Sequence, residues 1–119
     1  MLACLAVAAV GCASFSSRVF QLERAAASTA DASMKSYAVY WQSAKKDPAA
    51  FHRTAEGLDS ERKEVEALSV KIGTSIELTE SLRKSYATNA AVRPALEAAM
   101  RTVGENLSNT IATVTRLMK

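Results

Sequence analysis

Mostly apolar residues recur every seven positions along much of the chain, the spacing that lines one face of an α-helix. The longest repeat lies between Asp47 and Tyr86. Its members are Leu58, Val65, Ile72, Thr79 and Tyr86, with Leu68 and Leu82 three residues after Val65 and Thr79. Because such a stripe must be covered, the pattern predicts a long helix packed against others, in the same chain or in a second one.

A second repeat runs from Ser17 to about Ala44 without Gly or Pro. Its two heptad positions hold Phe20, Ala27, Met34 and Trp41, and then Ala30, Tyr37 and Ala44. They predict a helix whose packing face is thin in the middle and bulky at both ends. We interpret Tyr37, Tyr40 and Trp41 as one end of a core rather than as a ligand platform, because aromatic residues at helical spacing usually pack.

The third repeat is the most regular. It comprises Leu96, Met100, Val103, Leu107, Thr110, Val114 and Leu117, with Ile111 and Met118 expected to widen the stripe. Thr88 or Asn89 is expected to cap this helix, with Pro94 in its first turn.

Between the first two helices, Asp47-Pro48 predicts a helix start, since Asp is a good cap and proline suits the first turn. A kink or a short leading helix is expected at Gly57 to Ser60.

These segments predict an all-α protein, a three-helix up-down-up antiparallel bundle with coiled-coil-like packing over residues 18–119. Its helices should span about 17–45, 48–87 and 90–118. Trp41, Phe51, Leu58 and Leu117 are expected to meet at one end, and Phe20, Tyr86 and Leu96 at the other. Extended helices that pair between molecules are the alternative.

The residue inventory argues against catalysis, cofactors and metals. After Cys12 there is no thiol, and His52 is the single histidine of the chain. A catalytic site needs convergent groups with complementary roles, and no such set or Gly-rich phosphate loop stands out. Glu61, Glu64 and Glu66 cluster beside basic neighbours and are interpreted as a solvated face. The 15 basic and 12 acidic residues are interspersed, which does not favour nucleic-acid binding.

Residues 1–13 form an uncharged, apolar stretch. As a helix it would span about 20 Å, too short for a hydrocarbon core of about 30 Å, but it has the length of a signal-peptide apolar region. The positively charged leader of such a peptide is missing, and a start codon upstream of Met1 would account for that. Two interpretations of this stretch are a secretory signal peptide that is cleaved and the plain start of a soluble protein.

The stretch Ala9-Val10-Gly11-Cys12 resembles a bacterial lipobox, the site at which a lipoprotein signal peptide is cut before a lipid-bearing cysteine. The resemblance implies a signal peptide over residues 1–11, lipidation of Cys12 and a short tether over residues 12–17. Since one acyl chain binds a membrane only marginally, stable attachment would need several chains, palmitate among them, at Cys12.

The expected function is that of a non-enzymatic, lipid-anchored protein of the bacterial cell envelope, on the periplasmic side or the surface. It would act as a structural or partner-binding module, with an envelope protein or its own copies as partner. Short coiled-coil-like bacterial lipoproteins, some encoded by phages for host lysis, are similar in size and layout. A soluble helical subunit of a larger assembly is the first alternative. A small-ligand carrier, which would need a cavity near the Ala-rich middle of the first helix, is the second.

Overall fold

The chain forms a narrow rod of three helices. The computed structural model describes the backbone of residues 2–119 and the side chains of residues 14–119. Helix α1 spans Leu2–Lys46, α2 Ala55–Tyr86 and α3 Arg93–Leu117, and each packs against the other two in a body of 71 × 17 × 16 Å. The described residues are helical apart from short connections and include no strand. The predicted all-α antiparallel bundle is confirmed, and the stripes cover one another within one chain.

The connection between α1 and α2 differs from the predicted start at Pro48. Pro48–Phe51 form a short 3-10 helix, and the chain then passes through His52, whose φ is 56°. Helix α2 begins only at Ala55, because Asp47 makes no side-chain capping bond whereas Thr54 Oγ1 accepts a 2.9 Å hydrogen bond from the Gly57 amide. A short leading helix was the correct expectation, but the interruption precedes Gly57.

Replacement of Thr54 by alanine is therefore expected to lower the free energy of unfolding by about 1 kcal/mol, because the first turn of α2 loses its capping oxygen. Urea unfolding followed by circular dichroism measures this. The same replacement at Thr74, an exposed position inside α2, should change stability by less than about 0.5 kcal/mol. Equal losses at both positions would contradict the capping role.

The second connection agrees with the sequence in the position of the turn, but Asn89 caps a short 3-10 helix and α3 begins at Arg93, after Val92, which makes no side-chain capping bond. The Asn89 side chain accepts a 3.1 Å hydrogen bond from the Ala91 amide, and Ala90–Val92 form a 3-10 turn that leads into α3. Pro94 lies in the first turn of α3, where its missing N–H costs nothing.

The packing faces of α2 and α3 largely match their repeats. All five members of the α2 repeat are buried, as are Leu96, Val103, Thr110, Val114 and Leu117 of α3. The α3 face widens toward Ala99 and Asn106, which are buried, and not toward Ile111 and Met118, which are each 39% exposed. The sequence therefore predicted the wrong side for the widening of the α3 packing face. That prediction followed side-chain hydrophobicity, whereas the packing of α3 against the other helices buries the small Ala99.

The register of α1 also needs correction at its N-terminal half. Tyr37, Ala30 and Ala44 are buried as expected, but Phe20 is 40% exposed and Ala27 is exposed. The residues that turn inward are Phe15, Val19, Glu23 and Ala26. A stripe continued back from Tyr37 and Ala30 in steps of seven reaches Glu23, where hydrophobicity alone argues against a buried side chain. The helix geometry nevertheless carries Glu23 inward, and Phe20 moves to the flank.

The core contains two apolar clusters, and the buried residues between them are both polar and apolar, with Ile72 and Val103 among the apolar ones. The N-proximal cluster contains Phe15, Val19, Tyr86 and Leu96, and the distal cluster contains Tyr37, Val65, Val114 and Leu117. Between them along the sequence lie the buried polar residues Ser75, Thr79, Asn106 and Thr110. Three of their hydroxyls donate 2.8 Å bonds to carbonyls of their own helices, so burial does not leave them unpaired.

Candidate functional site

The predicted lipidation site, Cys12, lies outside the residues whose side chains the structure describes, as does the rest of the lipobox-like stretch. Side chains are described from Ser14 onward. Among the described residues, no helix combines the length and the hydrophobicity needed to cross a membrane.

The segment next to Cys12 is part of the folded bundle. Phe15 is buried, and its ring meets that of Tyr86 edge to face with centroids 5.3 Å apart. The Arg93 guanidinium lies 4.1 Å from the Phe15 ring centroid, and Arg83 Nη1 donates a 3.3 Å hydrogen bond to Ser16 Oγ. The tether expected over residues 12–17 is therefore not seen over 14–17, because Phe15 gains more by packing than by standing in water.

One turn further along α1, Phe20 lies between two guanidinium groups. Those of Arg24 and Arg83 are 5.6 Å and 5.0 Å from the ring centroid. These contacts explain how a large aromatic residue remains on the flank of the bundle, since the ring is covered by cations rather than by the core. The expected meeting of Phe20 with Tyr86 and Leu96 is replaced by that of Phe15 and Val19 with the same two residues.

Beneath Phe20, two carboxyl groups from different helices share one site. Glu23 of α1 is 5% exposed and its side chain is hydrogen bonded to that of Glu80 of α2. Burial, followed by this hydrogen bond and the charge of Glu80, raises the pKa of Glu23 to about 7. Glu80 is held ionised by Arg83, whose Nε lies 2.8 Å from Oε2, and the hydrogen bonds from Arg83 and Glu23 lower its pKa to about 2. The pair therefore holds one proton below neutral pH.

Two further details define this carboxyl pair. Glu80 pairs with Arg83 at i+3 and not with Lys84 at i+4. In addition, Oε1 of Glu23 is buried without a hydrogen-bond partner among the described residues. The sequence signal that could have located Glu23 is its position seven residues before Ala30. Heptad spacing decides which side of the helix turns toward the core more strongly than residue type does.

The carboxyl pair forms part of the wall of a groove between α1 and α2. The groove has a volume of about 490 Å³, opens to solvent, and includes Ala27 beside Phe20, Glu23 and Glu80. A ligand carrier would need a cavity near this Ala-rich part of α1. The groove lies at that level, but it is open to solvent and does not enclose a small molecule as typical ligand pockets do.

At the distal end, an ion pair joins all three helices. Arg53 Nε lies 2.9 Å from Glu61 Oε1, and Arg53 Nη2 donates a 3.1 Å hydrogen bond to the Leu117 carbonyl. Tyr37 Oη donates a long, 3.5 Å bond to Glu61, and burial together with the Glu61 charge raises the Tyr37 pKa above its usual range. The expectation of a solvated face was wrong for Glu61, whose side chain is only 14% exposed, because the chain reversal brings Arg53 back onto it.

Trp41 closes the same end, as the sequence predicted. Its indole Nε1 donates a 3.2 Å hydrogen bond to the Leu58 carbonyl, while the cationic groups of Lys45 and Arg62 lie 4.9 Å and 5.2 Å from its ring centroid. Phe51 joins the end by an edge contact with Tyr40. Packing therefore accounts for the aromatic group, with the polar atoms of Tyr37 and Trp41 hydrogen bonded.

The described residues contain no group of three or more His, Cys, Asp or Glu side chains that could hold a metal ion. His52 is exposed in the connection before α2, where its positive φ ends the short 3-10 helix. Comparison with protein-family models, curated proteins and solved structures finds no significant match for this sequence or fold.

Proposed function

We propose that this protein is a non-enzymatic lipoprotein of the bacterial cell envelope, anchored through acyl chains on Cys12 and acting as a structural or partner-binding module. The anchor would hold the helical rod at a membrane on the periplasmic side or at the surface. The partner would be an envelope protein or a second copy of the chain.

The observation that carries the proposal is the position of the lipobox-like stretch relative to the bundle. Cys12 precedes Phe15 by three residues, and Phe15 is buried in the N-proximal cluster. Cleavage before Cys12 would therefore remove the apolar leader and leave Phe15 and the rest of the N-proximal cluster in the mature chain. A lipid at Cys12 would attach at the end of the rod and leave most of the length of the rod free for contact.

Metabolic labelling tests the anchor. When the full chain is produced in a bacterium fed an alkyne-bearing fatty acid, we expect label on the wild-type protein and its complete loss in Cys12→Ser. Cys4→Ser is the matched control, because Cys4 lies within the segment that processing removes, and it should retain the label. Label that survives Cys12→Ser, or is absent from the wild type, would contradict the proposal.

The alternative of a soluble, self-associating subunit has a different consequence. The exposed apolar residues Val39, Val70 and Leu78 lie outside both core clusters and are candidates for contact with another chain. In that case the chain would keep residues 1–13 packed as helix and carry no lipid, and self-association would give a mass in solution that is a multiple of 12.7 kDa.

A further inference from the structure

The net charge of the protein is concentrated at one end of the rod. We define the N-proximal end as residues 14–24 and 80–101, which surround the N-proximal cluster. This end holds six basic residues and three acidic ones, whereas the rest of the chain holds nine of each. The basic residues are Arg18, Arg24, Arg83, Lys84, Arg93 and Arg101, and the acidic ones are Glu23, Glu80 and Glu97. The formal charge of +3 therefore lies entirely at the N-proximal end.

Exposure makes the imbalance at the surface larger. All the basic residues of this end except Arg83 are exposed, whereas Glu97 is the single exposed acidic residue there. Glu23 is buried and shares a proton with Glu80, which is in turn neutralised by Arg83. The exposed surface of this end is thus cationic, although acidic and basic residues alternate along the sequence.

The tip of this end carries no charge. The connection over residues 87–92 contains only Ala, Thr, Asn and Val, and Ala87, Ala90 and Ala91 are exposed. Lys84 precedes it and Arg93 follows it. A small, uncharged tip bordered by cations can approach a headgroup layer without bringing an ion into the acyl region, while the flanking cations remain at the level of the phosphates.

The tip lies at the level of the proposed anchor. Phe15 contacts Tyr86 and Arg93, which border the connection on either side. Three residues of helix separate Phe15 from Cys12, a rise of about 4.5 Å. This is well within the distance of about 8 to 10 Å over which surface charges act at physiological ionic strength.

We propose that the N-proximal end is a contact surface for anionic phospholipid headgroups. The exposed side chains of Arg18, Lys84 and Arg101 interact with the phosphates, whereas Arg93 is held by Glu97 and the Phe15 ring. The orientation of the rod toward the membrane rests on the proposed function, whereas the attraction to anionic lipid does not. The end therefore stabilises the rod upright on the bilayer and adds to the acyl anchor an electrostatic contribution of about fivefold in membrane partitioning per cation.

Vesicle binding tests the surface with the anchor removed. The full chain carrying Cys12→Ser is mixed with vesicles of phosphatidylcholine alone or with one quarter phosphatidylglycerol, and the bound fraction is measured by sedimentation at low and high salt. Binding to neutral vesicles measures any contribution of the apolar residues 1–13. We expect partitioning onto the anionic vesicles to exceed this by at least about tenfold at low salt, and the excess to disappear in about 0.5 M salt.

Charge variants locate the surface. Replacing Arg18, Lys84 and Arg101 by glutamine should reduce binding to anionic vesicles to the neutral level. The matched control replaces the exposed Lys46, Lys71 and Lys119, which lie outside the N-proximal end, and should retain most of the excess. Equal binding to both vesicle types, equal losses in the two triple variants, or tighter binding to a duplex oligonucleotide than to anionic vesicles would overturn the proposal. If Cys12 carries no lipid but the charge-dependent binding persists, the proposed lipid anchor is rejected and the proposed headgroup-contact surface is retained.

Discussion

Replacing Leu96 by alanine is expected to lower the free energy of unfolding by about 3 kcal/mol. Leu96 is fully buried in the N-proximal cluster, where it packs with Phe15, Val19 and Tyr86. Truncation removes apolar contacts and leaves a cavity, and buried leucines typically cost 2 to 5 kcal/mol, roughly, when so replaced. Urea unfolding followed by circular dichroism at 222 nm, roughly the helical minimum, measures the loss directly.

Leu78→Ala is the matched control, because Leu78 is 55% exposed on α2 and belongs to neither core cluster. It should change stability by no more than about 0.5 kcal/mol. The substitution is the same in both variants, and alanine favours helix slightly in both. The difference between their free energies of unfolding therefore measures the effect of burying the leucine side chain. Similar losses in Leu96→Ala and Leu78→Ala would mean that α3 is not packed as described.

Replacing Glu23 by glutamine is expected to stabilise the protein above neutral pH, and the gain should be on the order of 2 kcal/mol at pH of about 8. The pKa of Glu23 is about 7 in the folded protein against an ordinary value of 4.5. The folded state therefore binds the proton more tightly than the unfolded chain. The resulting stabilisation is fully present below about pH 4.5 and is lost as the pH rises through 7, whereas glutamine never acquires the charge.

Glu80 acts in the opposite sense. The pKa of Glu80, about 2, lies below the ordinary 4.5. Its contribution to the free energy of unfolding is therefore present above pH 4.5 and is lost as the pH falls toward 2. Arg83 and Lys84 face the same site, and their charges oppose the rise in the Glu23 pKa. The wild-type protein should thus be most stable near pH 4.5, with a decline toward pH 7 that Glu23→Gln removes.

Glu77→Gln is the control for this pH profile. Glu77 lines the same groove but is exposed, so its replacement should leave the decline between pH 4.5 and 7 in place. Thermal unfolding measured across pH 3 to 9, roughly, separates the two variants. A wild-type profile that is flat between pH 4.5 and 7, or a Glu23→Gln variant that keeps the decline, would contradict the shared proton.

Hydrophobic periodicity was sufficient for the architecture. The five-membered repeat of α2 and the Leu96-to-Leu117 stripe of α3 fixed which faces turn inward, since at these positions residue type and helix geometry agree. Asn89 and Pro94 located the second connection because the cap and the proline restrict the same turn. The first connection was placed too early because Asp47-Pro48 starts only a 3-10 helix, and the effective cap, Thr54, has a weaker sequence signal than Asp47.

The carboxyl pair and the distal ion pair could not be derived in the same way. Glu23 conflicts with its own residue type, and its burial depends on Glu80 and Arg83, which are more than fifty residues away in sequence. Arg53 lies in the first connection, eight residues before Glu61, and it meets the Leu117 carbonyl only because α3 returns to this end of the rod. Such contacts follow from tertiary packing and not from spacing along one helix. The cationic surface could not be predicted from the sequence for the same reason. Burial and pairing of Glu23 and Glu80 remove two acidic groups from that surface, and both effects depend on tertiary packing.

The central proposal, a rod held to a membrane by lipid on Cys12, is tested most directly by intact-mass spectrometry of the chain purified from native membranes. We predict a polypeptide that begins at Cys12 and carries the additional mass of several acyl chains on that residue. A chain that begins at Met1, with the unmodified masses of Cys4 and Cys12, would contradict the proposal and favour the soluble helical subunit.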